Sequence, residues 1–348
     1  MLISFISFIF VIAVCVLVHE IGHYKTAKTL GVQSHEFAFG MGPLIYQKID
    51  NDGMLWSIRA FPIGGFVRIA GMGEENDEAG EIVKPGMGFN DKPAWVRFLI
   101  LFNGSLMNIL LAIILTATLL YGHGVMDTQN TCIGAIMPGY PAESAGFLPN
   151  DVIIEINGET VDDWHSMTAG IRKYALEGIV NFKVMREGNI LEKNVEIPVD
   201  KESNVPMLGI TPTIKTYTLV ESITNSFGYI KDTSIQMLRG VYNLITSKEQ
   251  VDLAGPVGIA SMAGQAARAG AWNLIFFLSL ISLNLGILNL FPFPALDGGR
   301  LFLILGEIVF RRRVPEKIEH LIHFVGFVLL ITLIVFVTWQ DIAKLLQK

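Results

Sequence analysis

The sequence predicts an α-helical polytopic membrane protein, with about four transmembrane helices, a membrane-associated β-hairpin region and an inserted α+β domain. Three observations predict this. Of the 348 residues, 51% are hydrophobic and only 17% charged, whereas a soluble globular chain carries about 25% charged residues. Mean hydropathy is accordingly positive, at +0.48. Four stretches, 3–23, 98–121, 272–295 and 320–339, match the ~20 apolar residues that cross a bilayer. Between the second and third lies a long polar segment rich in turns. A net charge of −6 argues against a general nucleic-acid binder. The two cysteines, Cys15 in an apolar stretch and Cys132 in the polar segment, do not make a disulfide framework, and there is no CxxC metal knuckle.

The first stretch lacks the basic start and the small-residue cleavage site of a signal peptide and runs on into His19-Glu20, so it is read as a retained helix. After it, "EFAFGMGPLIYQKI" and "MLWSIRAF" flank Asp50-Asn51-Asp52-Gly53, a turn signal that predicts a hairpin within 36–70. In "FPIGGFVRIAG" that follows, Gly64-Gly65 allow positive φ or close backbone approach. Such a hairpin is either a small cap at the membrane surface or an exposed edge that adds an extended peptide as a further strand. Residues 72–92, acidic and Gly-rich, are expected to form a mobile loop.

Residues 125–200 alternate short β-type runs with turns, around one helical pattern at 164–176. At "PAESAGFLPNDVIIEINGETV" this segment resembles a PDZ domain of the bacterial protease-associated type, through Ala145-Gly146, Asp151 and Ile156-Asn157-Gly158. That resemblance implies capture of peptide ends by strand addition; a spacer or steric filter is the alternative. An amphipathic helix is expected over 217–246, lying on the membrane surface or packing on the module. The small-residue run "AGPVGIASMAGQAARAG" then leads into the third span. The expected divisions are 1–121, a PDZ-like domain at 122–214, a helix and linker at 215–271, and 272–348.

Basic residues set the orientation. Lys25, Lys28, Lys48, Arg59, Arg68, Lys92 and Arg97 follow span one; Arg300, Arg311, Arg312, Arg313 and Lys317 follow span three. With four spans these loops share a side, which is then cytoplasmic, and the long 122–271 loop lies outside.

The chemistry lies in "VLVHEIGHYKTAK". Positions i and i+4 share a helix face, so His19 and His23 are candidate ligands for one Zn²⁺, with Glu20 beside them as general base. Ionisable groups in a spanning helix cost about 2.5–3.5 kcal/mol each on insertion scales, which makes them functional candidates rather than ornament. A catalytic zinc needs a third protein ligand. Glu36 is the nearest carboxylate but opens a strand pattern. Asp297 in "NLGILNLFPFPALDGGR" ends an uncharged apolar run, where Pro292 and Pro294 break the helix and Gly298-Gly299 allow a tight turn. Spans one and three both run inward, so His19, His23 and Asp297 arrive at similar depth. The remaining histidines, His320 and His323 at the start of span four and His35, His123 and His165 in loops or at a helix start, are read as interfacial or solvated.

HEIGH, "FPIGGFVRIAG", the PDZ-like insert and "NLFPFPALDGG", in this order, resemble the site-2 protease family of intramembrane zinc metalloproteases (peptidase family M50), in the bacterial branch of the regulator-of-sigma-E protease. The resemblance implies zinc ligands at His19, His23 and Asp297, a catalytic Glu20, and a substrate-backbone contact at Asn289, with Gly64 and Gly65 in the peptide-binding hairpin. The family's G-P-x-x-N element stands here as Gly104-Ser105-Leu106-Met107-Asn108, with serine in place of the proline. The partners implied are membrane-embedded protein or peptide substrates, peptide termini at the PDZ-like domain and the lipid bilayer; the location implied is a bacterial inner membrane. A membrane scaffold with a structural metal and a metal or proton transporter are the rivals. The transporter lacks the repeated halves common to such folds.

Overall fold

The computed structural model describes residues 1–72, 83–198, 206–246 and 254–346. Helix α1 (Leu2–Thr29) leads into strands β1 (Ser34–Ile49) and β2 (Leu55–Ile69) and then α2 (Ala94–Gly122). Short elements follow: β3 (Val125–Met126), β4 (Ile133–Ile136), α3 (Pro141–Ser144), β5 (Val152–Ile156), β6 (Glu159–Thr160), α4 (Trp164–Tyr174), β7 (Ile179–Arg186), β8 (Asn189–Glu196), β9 (Ile210–Pro212) and β10 (Ile214–Lys215). Helices α5 (Leu219–Thr246), α6 (Pro256–Ala269), α7 (Ala271–Leu288), α8 (Asp297–Phe310) and α9 (Glu316–Leu346) come last. The chain forms two compact units, Met1–Thr118 with Glu221–Lys348, and Leu119–Val220.

In the first unit, α1, α2, α7 and residues Lys317–Lys344 of α9 are long and apolar enough to cross a membrane. Helix α7 stops at Leu288 rather than near 295. Pro292 and Pro294 have no N–H to continue it, and each disfavours helix in the residue before it. Two helices were not anticipated. The small-residue run forms α6, with Pro256 at its first position, where a missing N–H costs nothing. Asp341 of α9 accepts hydrogen bonds from the amides of Gly255 (3.3 Å) and Gly258 (2.7 Å), satisfying donors that the start of α6 leaves open. Helix α8 begins at Asp297. Helix α5 packs within the first unit, its Ile230 and Met237 lying against Ala112 of α2 and Leu283 of α7.

The hairpin is more folded than its sequence suggests. Residues 36–39 of β1 pair with 65–68 of β2 in antiparallel register and also lie beside 55–58, while 44–49 pair with 55–59. Two long bent strands thus make four rungs, with bends at Gly40, Gly42 and Gly64, all at positive φ. Asp50 shapes the turn, its Oδ1 accepting from the amides of Asp52 (2.9 Å) and Met54 (3.0 Å). Buried Glu36 bonds Ser57 and Arg59 within this sheet and is taken up structurally. Of the expected mobile loop, residues 73–82 lie outside the described residues, whereas Met87 and Phe89 are tied to the sheet: the Gln33 amide donates to the Met87 carbonyl (2.9 Å) and the Phe89 amide to that of Ala70 (2.7 Å). Phe89, Ile69, Ala27, Ile100, Leu101 and Leu301 share one buried cluster, which joins α1, the sheet, α2 and α8. A buried Arg97–Glu307 ion pair (2.6 Å) adds a second tie between α2 and α8.

In the second unit a four-stranded sheet of order β6-β5-β7-β8 and the smaller β4–β9 pair enclose a core of Phe147, Ile153, Ile156, Met167, Phe182 and Val184, and β3 pairs with β10. Helix α4 starts at Asp163, whose carboxylate accepts the Ser166 amide at 2.6 Å, a capping box. Glu187 and Gly188, both at positive φ, make the two-residue turn that matches strand twist between β7 and β8. Fully buried Asp151 receives two bonds from Arg186 (2.7 and 2.8 Å) and one from the Leu148 amide (2.9 Å). Burial pushes its carboxyl upward, but these donors outweigh it and hold the group below its ordinary 3.8. A depressed folded-state value stabilises above the unfolded value and is lost as pH falls through the folded one. Asp151→Asn is therefore expected to lower amide-exchange protection of β5 and β7 at pH 7 by about 10–100-fold. The gap to wild type should close as pH drops below the carboxylate range. Equal protection at pH 7 would contradict the assigned role.

Candidate metal centre

His19 and His23, one turn apart on α1, are both buried, with rings edge-on at 4.6 Å between centroids. Helices α1 and α2 approach closely there, since an added Cβ on Gly22 would overlap the Asn103 carbonyl and one on Gly104 would overlap both imidazoles. Thr26 and Asn103 reinforce the crossing, the Asn103 amide donating to the Thr26 hydroxyl at 2.8 Å. His23 Nδ1 lies 2.8 Å from the Ile100 carbonyl oxygen, an acceptor only, so Nδ1 carries the proton and Nε2 presents a lone pair.

Asp297 comes from the other side on a loop that leaves α7. Asn289 ends that helix, and its carbonyl accepts the Gly298 amide at 2.6 Å, which closes the loop on itself. A Cβ on Gly298 would strike the Phe291 carbonyl, so the closure needs glycine. Asp297 Oδ2 then sits 3.0 Å from His19 Nε2 and 3.2 Å from His23 Nε2, with the two nitrogens 3.0 Å apart. Donors held tetrahedrally at zinc distances lie roughly 3.3 Å from one another. The triangle therefore fits a zinc ion, which His19, His23 and Asp297 would hold. The chemistry of the donors agrees: two buried imidazoles and the carboxylate of half-buried Asp297, whose Oδ2 meets no side chain but theirs among the described residues.

Glu20 is turned to the sheet. Its Oε2 accepts the Val67 amide at 2.9 Å, a donor from the outer face of the rung at 65–68. Gly64 and Gly65 lie just before it on β2, Gly65 against the Ala38 carbonyl. Asn289 is half-buried beside the Asp297 loop. Ser105, next to Gly104, and Asn108, one turn on, are fully buried, and their side-chain polar atoms have no hydrogen-bond partners. His320 and His323, with Asp297, Arg300 and Met72, line a cavity of about 750 Å³. Sequence reasoning missed the Val67 amide and Ile100 carbonyl, which as main-chain groups have no residue signature. Gly104 was legible only as part of a motif.

Gly104→Ala is expected to drive the imidazoles apart and weaken binding of a divalent ion by about tenfold or more, measured by competition with a chromophoric chelator. Gly306→Ala in α8, where an added methyl meets nothing, is expected to leave it unchanged.

The sequence model of Peptidase family M50 matches residues 7–333. The chain is similar to the zinc metalloprotease RasP of Shouchella clausii, 30% identical over 423 residues that cover 98% of this chain and 99% of the relative. It is likewise similar to the zinc metalloprotease RasP of Geobacillus kaustophilus, 30% identical over 420 residues that cover 98% of each. With four apolar helices of spanning length and a family match along nearly all of its length, the chain belongs to peptidase family M50, the site-2 type of membrane-embedded zinc metalloprotease.

Proposed function

We propose that this metalloprotease is an intramembrane endopeptidase, with His19, His23 and Asp297 as its zinc ligands and Glu20 as its general base. Convergence of the three donor atoms within 3.0–3.2 Å supports the reading most directly. Zinc held there supplies Lewis-acid polarisation of a peptide carbonyl and activation of water at neutral pH. Glu20 takes the proton of the attacking water and returns it to the leaving amine. The Val67 amide at its Oε2 fixes the carboxylate's direction.

A helical substrate keeps its carbonyls in i→i−4 bonds and cannot offer one for attack, so the segment must unwind. In lipid its freed amides need partners. The outer rung of the β1–β2 sheet, with Gly64 and Gly65 permitting close approach, adds the unwound segment as a strand, and Asn289 contacts its backbone. The substrates are transmembrane segments of membrane-anchored regulators such as anti-sigma factors, or signal-peptide remnants. In this reading the centre lies near the cytoplasmic leaflet of a bacterial inner membrane, which the charge bias of the loops supports. The 122–214 segment is then an extracytoplasmic PDZ-like domain that favours substrates already shortened.

A membrane-reporter cleavage assay with zinc content measured on each variant tests this reading. Glu20→Gln is expected to keep its zinc and lose about 10²–10⁴-fold in cleavage rate, and Asp297→Asn to lose both. Wild-type cleavage by Glu20→Gln would refute the role given to Glu20. Metal removal by a chelator should abolish cleavage and zinc restore it.

A further inference from the structure

We propose that His323 of α9 is the positioning residue of the Asp297 ligand, holding from a separate helix the turn that carries it. The loop between α7 and α8 contains two prolines, Pro292 and Pro294, which give it no amide of their own. Ala295 follows with φ of +77°, a left-handed conformation that a non-glycine residue keeps only where its surroundings impose it. Its amide donates out of the loop, to His323 Nδ1 at 3.2 Å. Left without that acceptor, the half-buried amide would have no protein partner.

A second contact falls on the same face of α9. Gly326, three residues on, is buried against Pro294, whose carbonyl carbon and oxygen would lie 2.5 and 2.6 Å from an added Cβ. The helix therefore seats on residues 294 and 295, immediately before the ligand. His323, Ala295 and Asp297 also line one cavity, so a movement of the turn is a movement of the ligand. Because Nδ1 accepts, the neutral ring carries its proton on Nε2, and the acceptor is available only in that tautomer. The three ligands thus have two separate supports. The α1–α2 crossing sets the two imidazoles, whereas α9 sets the carboxylate.

The inference rests on the metal-centre reading above. Its test uses the full chain purified in detergent, with Co²⁺ affinity measured by chelator competition and the reporter cleavage rate resolved into kcat and KM. His323→Phe fills the site but removes the acceptor; His323→Asn places an amide oxygen near the position of Nδ1. Expected are a loss of about 10–100-fold in Co²⁺ affinity for His323→Phe, a matching fall in kcat with KM little changed, and recovery of most of both in His323→Asn. Wild-type affinity in His323→Phe, or equal loss in both variants, would overturn the assignment while the wild type still binds the ion. A wild type that binds no Co²⁺ would instead sink the metal centre itself.

Discussion

Nε2 of His19, Nε2 of His23 and Oδ2 of Asp297 lie 3.0–3.2 Å apart inside helices made largely of leucine, isoleucine and phenylalanine, and the first unit is arranged around this crowding. Electron-pair donors brought this close in a low-dielectric interior repel one another unless a cation or proton lies between them. Burial also removes the water that would otherwise solvate them. The fold must therefore bring the three side chains to one point. It does so with backbone and packing, from three different helices.

Two of the constraints are steric. Gly22 and Gly104 let α1 and α2 approach until the imidazoles rest on a glycine, with His23 directed by a main-chain carbonyl. Small residues at a helix crossing are the usual way for spanning helices to associate, since lipid provides no hydrophobic drive between them. The third constraint is an interrupted helix. The prolines after α7 free the chain to turn back, and the closure from Asn289 to Gly298 makes that turn compact enough to project Asp297 at the histidines. A continuous α7 would carry position 297 about 13 Å beyond Leu288 along its axis.

The sheet contributes through its main chain. By folding two strands into four rungs, it brings the Val67 amide to the Glu20 carboxylate, so the candidate base is held by an element with no catalytic residue type in it. The same rung is where the proposed peptide strand adds, which would put substrate recognition and orientation of the base on one structure. In the second unit, stability comes from a core of buried apolar side chains and from buried Asp151 paired with half-buried Arg186.

From residue types and spacing alone, four apolar runs, an i,i+4 histidine pair with its glutamate, and an aspartate after two prolines were all legible, because hydropathy and metal-ligand chemistry are properties of side chains. So was the β1–β2 hairpin, through its Asp-Asn-Asp-Gly turn. Whether His19, His23 and Asp297 meet was decided only in three dimensions, as were the doubled register of the sheet, the helices α6 and α8, the Val67 and Ile100 contacts and the seat of α9 on Ala295. Those features depend on backbone donors and acceptors, which every residue possesses alike, and on the clearance at glycines, which depends on what packs opposite. Neither leaves a mark in a linear sequence until the chain has folded.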